Sequence, residues 1–389
     1  ADIDLNNVAS VTVLKGANAA ALYGSRAANG VILITTKSAN NQKGWGMTLT
    51  SNTTLQRPTY FPAYQDKYGQ GSNKEYAYVD GIGGGTYDDY GGSWGPALDG
   101  RLIDQWFGKQ QPWVPAPDNL KSFFQNGWIA GNDLSVARQT DKTSIRFSYG
   151  DSRQKGTLPF TDETRNTINL NASVQITDKL QSQVIVNYVR LKNNNIPTSG
   201  YTDVNIMSQM IFGGRQMNYA PMKDYQSPDG KQINTYSRLS DNPYWLYKHN
   251  TNSRIRDRFF GSARLQYEIL PWMNVMVRAG LDTYSEQRNE IVNAYTAATA
   301  QAHSGGSFNL TEMNFKEFNL DAILSIDKNL ADKLNLNANL GANLMNNQFR
   351  SVGLRAAELV VPNIFNIANV KGAALPSNNY SEYEMQSVY

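Results

Sequence analysis

The chain has 389 residues, with 36 basic and 33 acidic side chains for a net charge of +3, no cysteine, and a mean hydropathy of −0.50. No run approaches the roughly 18 apolar residues of a membrane helix, which excludes a helical membrane protein; a β-barrel, whose alternating strands average out, stays open. Disulfides and thiolate metal sites are excluded too, and the charge is too balanced to point to nucleic acid.

In chain order, residues 8–15 read as a short apolar strand. Residues 16–22 read as a turn and a helical turn, with Asn18 placed to cap it. A second turn region covers 23–30, and residues 31–37 read as a strand of the buried type. Together they predict a compact α/β unit over 1–43, of which 38–43 is a linker.

From residue 44 onward the pattern changes to a period of two. Ile145, Phe147 and Tyr149 alternate with Ser144, Arg146 and Ser148. Ile168, Leu170, Ala172, Val174 and Ile176 alternate with Thr167, Asn169, Asn171, Ser173 and Gln175. The same rhythm runs through 259–269, 273–282 and 318–327. It is cleanest at 334–344, where Leu and Ala at even positions face away from Asn and Gly at odd ones. Period two means strands with two unlike faces. The polar face is mostly uncharged amide, which suits a wet lumen.

The connections alternate between tight and long. Tight turns fall at 140–142, 177–179, 270–272 and 329–333, where Asp and Pro supply turn chemistry. Long connections fall at about 58–131, 154–163, 190–253, 288–306 and 351–381. Short turns at one end and long loops at the other are the layout of bacterial outer-membrane barrels. The predicted fold is therefore an antiparallel, all-β transmembrane barrel over 44–389, with about ten strands and a small α/β domain before it. A helix is expected near 203–212 and a turn at 241–245.

Enzyme chemistry finds no support in the pattern. His249 and His303 are the two imidazoles, both fall in long connections, and neither has nucleophile or metal-ligand spacing beside it. Asp80, Asp88 and Asp89 lie in a Gly- and Tyr-rich loop. They are the candidates for a structural Ca²⁺, without EF-hand spacing; solvated loop acids are the other reading.

The segment from Val11 to Lys37 is more specific. An apolar strand, Leu14-Lys15-Gly16, small residues, Leu22-Tyr23-Gly24, then Asn29-Gly30-Val31-Ile32 resembles the C-terminal part of the plug of TonB-dependent outer-membrane transporters. The form Gly-Ala-Asn-Ala-Ala-Ala-Leu-Tyr-Gly-Ser-Arg-Ala-Ala-Asn-Gly-Val-Ile is similar to the SusC subfamily. Ser93-Trp94-Gly95-Pro96, Phe123-Phe124-Gln125-Asn126-Gly127 and Asp241-Asn242-Pro243-Tyr244 extend the likeness downstream.

That resemblance implies a 22-stranded plugged barrel in the Gram-negative outer membrane, of which this chain holds the end of the plug and the first part of the wall. It implies active import of a glycan or oligopeptide, with a SusD-like surface lipoprotein as lid and TonB, ExbB and ExbD as the energy source. Outer-membrane lipid surrounds it and no cofactor is needed. A passive porin or secretion-associated barrel on the same scaffold is the alternative. On this reading Arg26 is the candidate for a latch between plug and wall. Trp94, Arg215 and Trp245 are the candidates for ligand or lid contacts, since ring faces and a forked cation suit sugars or peptides.

Overall fold

The computed structural model describes residues 3–15, 29–39, 44–81, 83–198, 205–233, 241–296, 305–331 and 334–388. The expected turn and cap at 16–22, Arg26 and His303 lie outside them. No helix among the described residues is long and apolar enough to cross a membrane.

The N-terminal strands β1 (Val8–Leu14) and β2 (Val31–Thr36) pair antiparallel as a hairpin. The expectation of a buried strand at β2 is corrected: Ile32 is 66% exposed, and Val11 and Val13 of β1 are likewise open. A two-stranded ribbon has no second layer of its own, so its apolar side chains have nothing within the hairpin to cover them.

The rest is one ten-stranded antiparallel sheet. Its members are β3 (Gly44–Gln56), β6 (Gly127–Gln139), β7 (Thr143–Lys155), β8 (Asp162–Thr177), β9 (Leu180–Asn195), β10 (Asn252–Leu270), β11 (Met273–Val292), β12 (Ser307–Ala331), β13 (Leu334–Ala356) and β14 (Leu375–Val388). Each pairs with its sequence neighbour, and β3 pairs with β6. The intervening hairpin β4 (Leu102–Gln105) and β5 (Gly108–Pro112) belongs to the first long loop. This is the meander that closes transmembrane barrels.

The two faces differ as the alternation requires. Leu134, Phe147, Val174, Leu265, Val277, Leu320 and Leu340 project outward and stay open, as lipid-facing side chains do. On the opposite face the asparagines of β13 donate to carboxylates across the sheet. Asn343 Nδ2 reaches Asp321 Oδ1 at 2.7 Å and Asn347 Nδ2 reaches Glu317 Oε2 at 2.8 Å. Asp321 also pairs with Arg278 at 2.8 Å, and Asp282 with Arg258 at 2.6 Å. The lumenal wall is thus a lattice of amides and ion pairs.

Strands run further than their alternation. β12 has 25 residues and β13 has 23, against the ~9–11 that cross a bilayer. The expected loops at 288–306 and 351–381 are therefore shorter, because strand pairing continues through Val292 and Ala356 and resumes at Leu375. Above the membrane both faces meet water, so the ladder persists without a period.

The compact apolar core lies in the loops. Helices α1 (Asn119–Phe123), α2 (Ile206–Ile211) and α3 (Pro243–His249) bring together Phe123, Met210, Met217, Tyr219, Met222, Tyr244 and Leu246. The expected turn at 241–245 is the start of α3. Asn242 caps it, accepting from the Tyr244 and Trp245 N–H groups at 2.9 and 3.4 Å.

Candidate functional site

The densest set of buried polar groups outside the loops lies where the N-terminal segment meets the sheet. Strands β6–β8 turn Asp133, Arg146, Ser148, Thr167 and Asn171 to the lumen, and all five are at least nine-tenths buried. Against them sits a short 3-10 turn, Leu5–Asn7, capped by Asp4. Asp4 Oδ1 accepts from the Asn6 N–H at 2.9 Å and Oδ2 from Asn7 Nδ2 at 2.8 Å.

This cap holds Asn7 so that its side-chain oxygen faces the wall. Arg146 donates to Asn7 Oδ1 in a short bond, and Ser148 Oγ donates to the same oxygen at 2.7 Å. Thr167 Oγ1 donates to Asp4 Oδ2 at 3.2 Å. Gly150 makes room for the approach: a Cβ there would stand 2.6 Å from Thr167 Oγ1 and 3.2 Å from Asp4 Oδ2. Asp133 Oδ2 is buried nearby, 3.5 Å from the same point, with no hydrogen-bond partner among the described residues.

The residues after β2, which lie beside Asn7 at the open end of the hairpin, are fixed in the same manner. Asn171 Nδ2 donates to the Lys37 carbonyl at 3.1 Å, and the Ala39 N–H donates to Ser144 Oγ at 3.3 Å. The Lys37 N–H donates to the Asn7 carbonyl at 2.8 Å and ties the two ends together. Beside this joint, a cavity of about 600 Å³ separates β2 from the wall; Thr36, Asn187, Asp282 and Asn319 line it. These contacts are polar, and each can be exchanged for a contact with water. The arrangement can hold the hairpin in register and release it without unfolding the sheet.

Sequence reasoning placed Arg146 on the polar face but did not single it out. The available signal was weak, a charged side chain on the polar side of a strand, where neighbouring strands carry ion pairs as well. Asp133 carried the same signal.

The predicted loop residues fall elsewhere. Trp94 is 66% exposed and leans on Tyr68 with ring centroids 5.5 Å apart. Arg215 and Trp245 are corrections, because neither presents its side chain at a mouth. Arg215 is buried; its Nε and Nη2 bind Asp66 Oδ1 at 2.9 and 2.6 Å, and Nη1 binds Asn119 Oδ1 at 2.8 Å. Trp245 is 1% exposed, with its ring 4.0 Å from that of His249. Burial lowers the His249 pKa from its ordinary value, with Lys248 adding to the effect, so the ring is neutral at neutral pH.

The three aspartates do not form a cage. Asp88 Oδ2 accepts the N–H groups of Val79, Asp80, Gly81 and Gly85 at 3.0–3.4 Å, a geometry made for the carboxylate itself. Burial pushes this carboxyl up, but the four backbone bonds outweigh it and hold its pKa below the usual range. Asp80 Oδ1 accepts from the Gly84 N–H at 3.3 Å. No group of three metal-binding side chains occurs among the described residues. The neighbouring Ser93–Pro96 motif is a packing device. A Cβ on Gly95 would lie 1.7 Å from the Gln70 carbonyl oxygen, and the Pro96 carbonyl accepts from Trp113 Nε1 at 3.1 Å.

No family model matches the chain. It is 22% identical over 385 residues to the TonB-dependent receptor P26 of Formosa agariphila, covering 95% of this chain and 34% of that protein. It is 26% identical over 251 residues to the TonB-dependent receptor SusC of Bacteroides thetaiotaomicron, covering 64% of this chain and 22% of that one. The fold matches the RagAB peptide importer in its closed-closed state with a TM-score of 0.71, at 15% identity, over 100% of this chain and 44% of that one. The chain thus spans about a third of the length of the curated relatives it matches most fully. These relatives are named as receptors and transporters. In sequence the chain is thus similar to TonB-dependent receptors, SusC among them, and in fold its ten-stranded sheet matches part of the RagAB importer.

Proposed function

We propose that this chain is part of an outer-membrane importer driven by TonB, with the N-terminal hairpin as the last part of its plug. The observation that carries the reading is the joint at Asn7 and Arg146, which is buried and made of polar contacts. Pulling on a plug held by such bonds exchanges them for bonds to water, while the wall keeps its strand ladder.

The outer edges of β3 and β14 have no neighbour in the ten-stranded sheet. An open edge is not viable in lipid, so further strands, up to 22 in the whole protein, complete the wall. Residues 1–43 then belong to the plug and 44–389 to the barrel. The importer works with a SusD-like lipoprotein over the outer loops, and ExbB and ExbD couple TonB to the inner-membrane gradient. The cargo is an oligopeptide or a glycan; the name of the RagAB importer favours the peptide, and the Asn- and Tyr-rich loops suit both.

The test is uptake by cells carrying the whole protein, with labelled oligopeptides and oligosaccharides offered in parallel. Active import requires that uptake stop when TonB is deleted or the proton gradient is collapsed. The alternative, a passive pore, is favoured if uptake persists and the purified protein conducts in a planar bilayer.

A further inference from the structure

On the lipid-facing side, at the outer end of β6–β8, the loops leave a cavity of about 640 Å³. Trp128, Arg153, Lys155, Phe160, Lys223 and Tyr225 are among its lining. Trp128 lies across from Lys155 in the sheet, and Lys155 across from Asp162. Trp128 stands near the end of β6 that is remote from the tight turn at 140–142, and Lys155 ends β7. Both strands have 13 residues, slightly more than the ~9–11 that cross a bilayer. These side chains therefore stand at the level of the outer headgroups.

The charges at this cavity are not matched. Of the two acids nearby, Glu163 pairs with Arg165 at 2.9 Å, while Asp162, across from Lys155, accepts from the neutral Asn194 at 3.1 and 3.0 Å and keeps its charge, so the two lysines outnumber the one carboxylate left to them. Lys155 and Lys223 have no carboxylate partner among the described residues, and both are exposed. Trp128 is 37% exposed and Phe160 39%; Phe160 holds the Lys248 ammonium 5.4 Å from its ring centroid, so a third cation stands beside the rings. Ammonium groups bind phosphate as point charges, and aromatic faces cover the apolar side of a sugar ring.

From this we infer that the cavity binds a phosphorylated, acylated sugar lipid of the outer leaflet: phosphate on Lys155 and Lys223, sugar on Trp128 and Phe160, and acyl chains down the apolar face of β6–β8. An ordinary glycerophospholipid offers the phosphate and the chains but no ring for the aromatic pair. The site rests on the outer-membrane reading given above.

The probe is purified lipopolysaccharide, with phosphatidylglycerol and inorganic phosphate as controls. Native mass spectrometry of the detergent-purified whole protein reads the bound fraction. The wild type retains one lipopolysaccharide, and Lys155→Glu with Lys223→Glu lowers retention at least tenfold. Trp128→Leu lowers it several-fold without changing the charge. Heat-modifiable gel mobility checks that each variant is a folded barrel, and if the double variant is not, Lys155→Gln with Trp128→Leu is read in its place. Equal retention by folded variants overturns the site, as does equal binding of phosphatidylglycerol or displacement by inorganic phosphate alone. Membrane fractionation separates the two failures. A wild type found outside the outer membrane removes the reading beneath; a wild type found there, with variants that keep the lipid, removes the site alone.

Discussion

Arg146→Met tests the joint between hairpin and wall. The substitution keeps an unbranched stem in a site where Arg146 is 8% exposed, and removes a cation that lies in the field of both Asp133 and Asp4. One charge-assisted bond to Asn7 is lost, while Asn7 keeps its 2.7 Å bond from Ser148. A hydrogen bond to a charged group contributes about 1.5–3 kcal/mol, and leaving carboxylates buried without their cation adds to the loss. Docking of the hairpin should weaken by about 2–3 kcal/mol, roughly 30- to 150-fold in the undocked population. The reporter is the Ala39 amide, which is 1% exposed and bonded to Ser144 of the wall. Its hydrogen exchange in the purified whole protein should rise by that factor, while amides of β10 and β11 are unchanged. Arg146→Lys, which keeps the charge but not the fork, should fall between. Exchange within about threefold of wild type in a folded Arg146→Met protein would refute the reasoning, since docking at that joint would then not depend on Arg146.

Leu340 and Asn339 point to opposite faces of β13, so Leu340→Arg should cost about 2–4 kcal/mol in urea unfolding of the barrel from vesicles, and Asn339→Arg close to nothing. Asp88→Ala removes the acceptor of four backbone N–H groups and should open the 76–89 loop to protease without moving the barrel melting temperature. Because that carboxyl is held below its ordinary range, its contribution is full above about pH 4 and is lost as pH falls toward the lower native value, so wild-type protease resistance in this loop should be flat from pH 5 to 8 and decline only below. Gly95→Ala places a methyl 1.7 Å from the Gln70 carbonyl and should release Trp113, which is read as a red shift and quenching of the tryptophan emission.

The sheet was legible in the sequence wherever a strand separates two solvents. Leu334–Leu344 alternates because lipid and water demand opposite side chains at each step, and the turn-and-loop rhythm then gives the barrel direction. Legibility ended where that contrast ends. Residues 351–356 pair with 308–313 as fully as any others, yet read as loop, because both of their faces are wet. Arg215 and Trp245 looked like free contacts because loop residues carry no period that would reveal a core. The tie of Arg215 to Asp66 spans 149 positions of sequence, and no local pattern announces it. Arg146 and Asp133 were visible as charges inside membrane strands, but their partner Asn7 lies in a stretch too short and polar to signal anything alone.

The strands lengthen along the chain, from 13 residues in β6 and β7 to 25 in β12. At about 3.3 Å per residue these are contours of roughly 43 and 80 Å, beside an apolar band about 25 Å tall. The upper edge of the wall is therefore oblique, low over β6–β7 and high over β12–β13. A rigid body resting on an oblique rim meets the high side first and has free travel over the low side. Its natural motion is to rock about the tall strands, opening and closing like a jaw above the short ones, and a straight vertical lift would have to break contact with the tall strands as well.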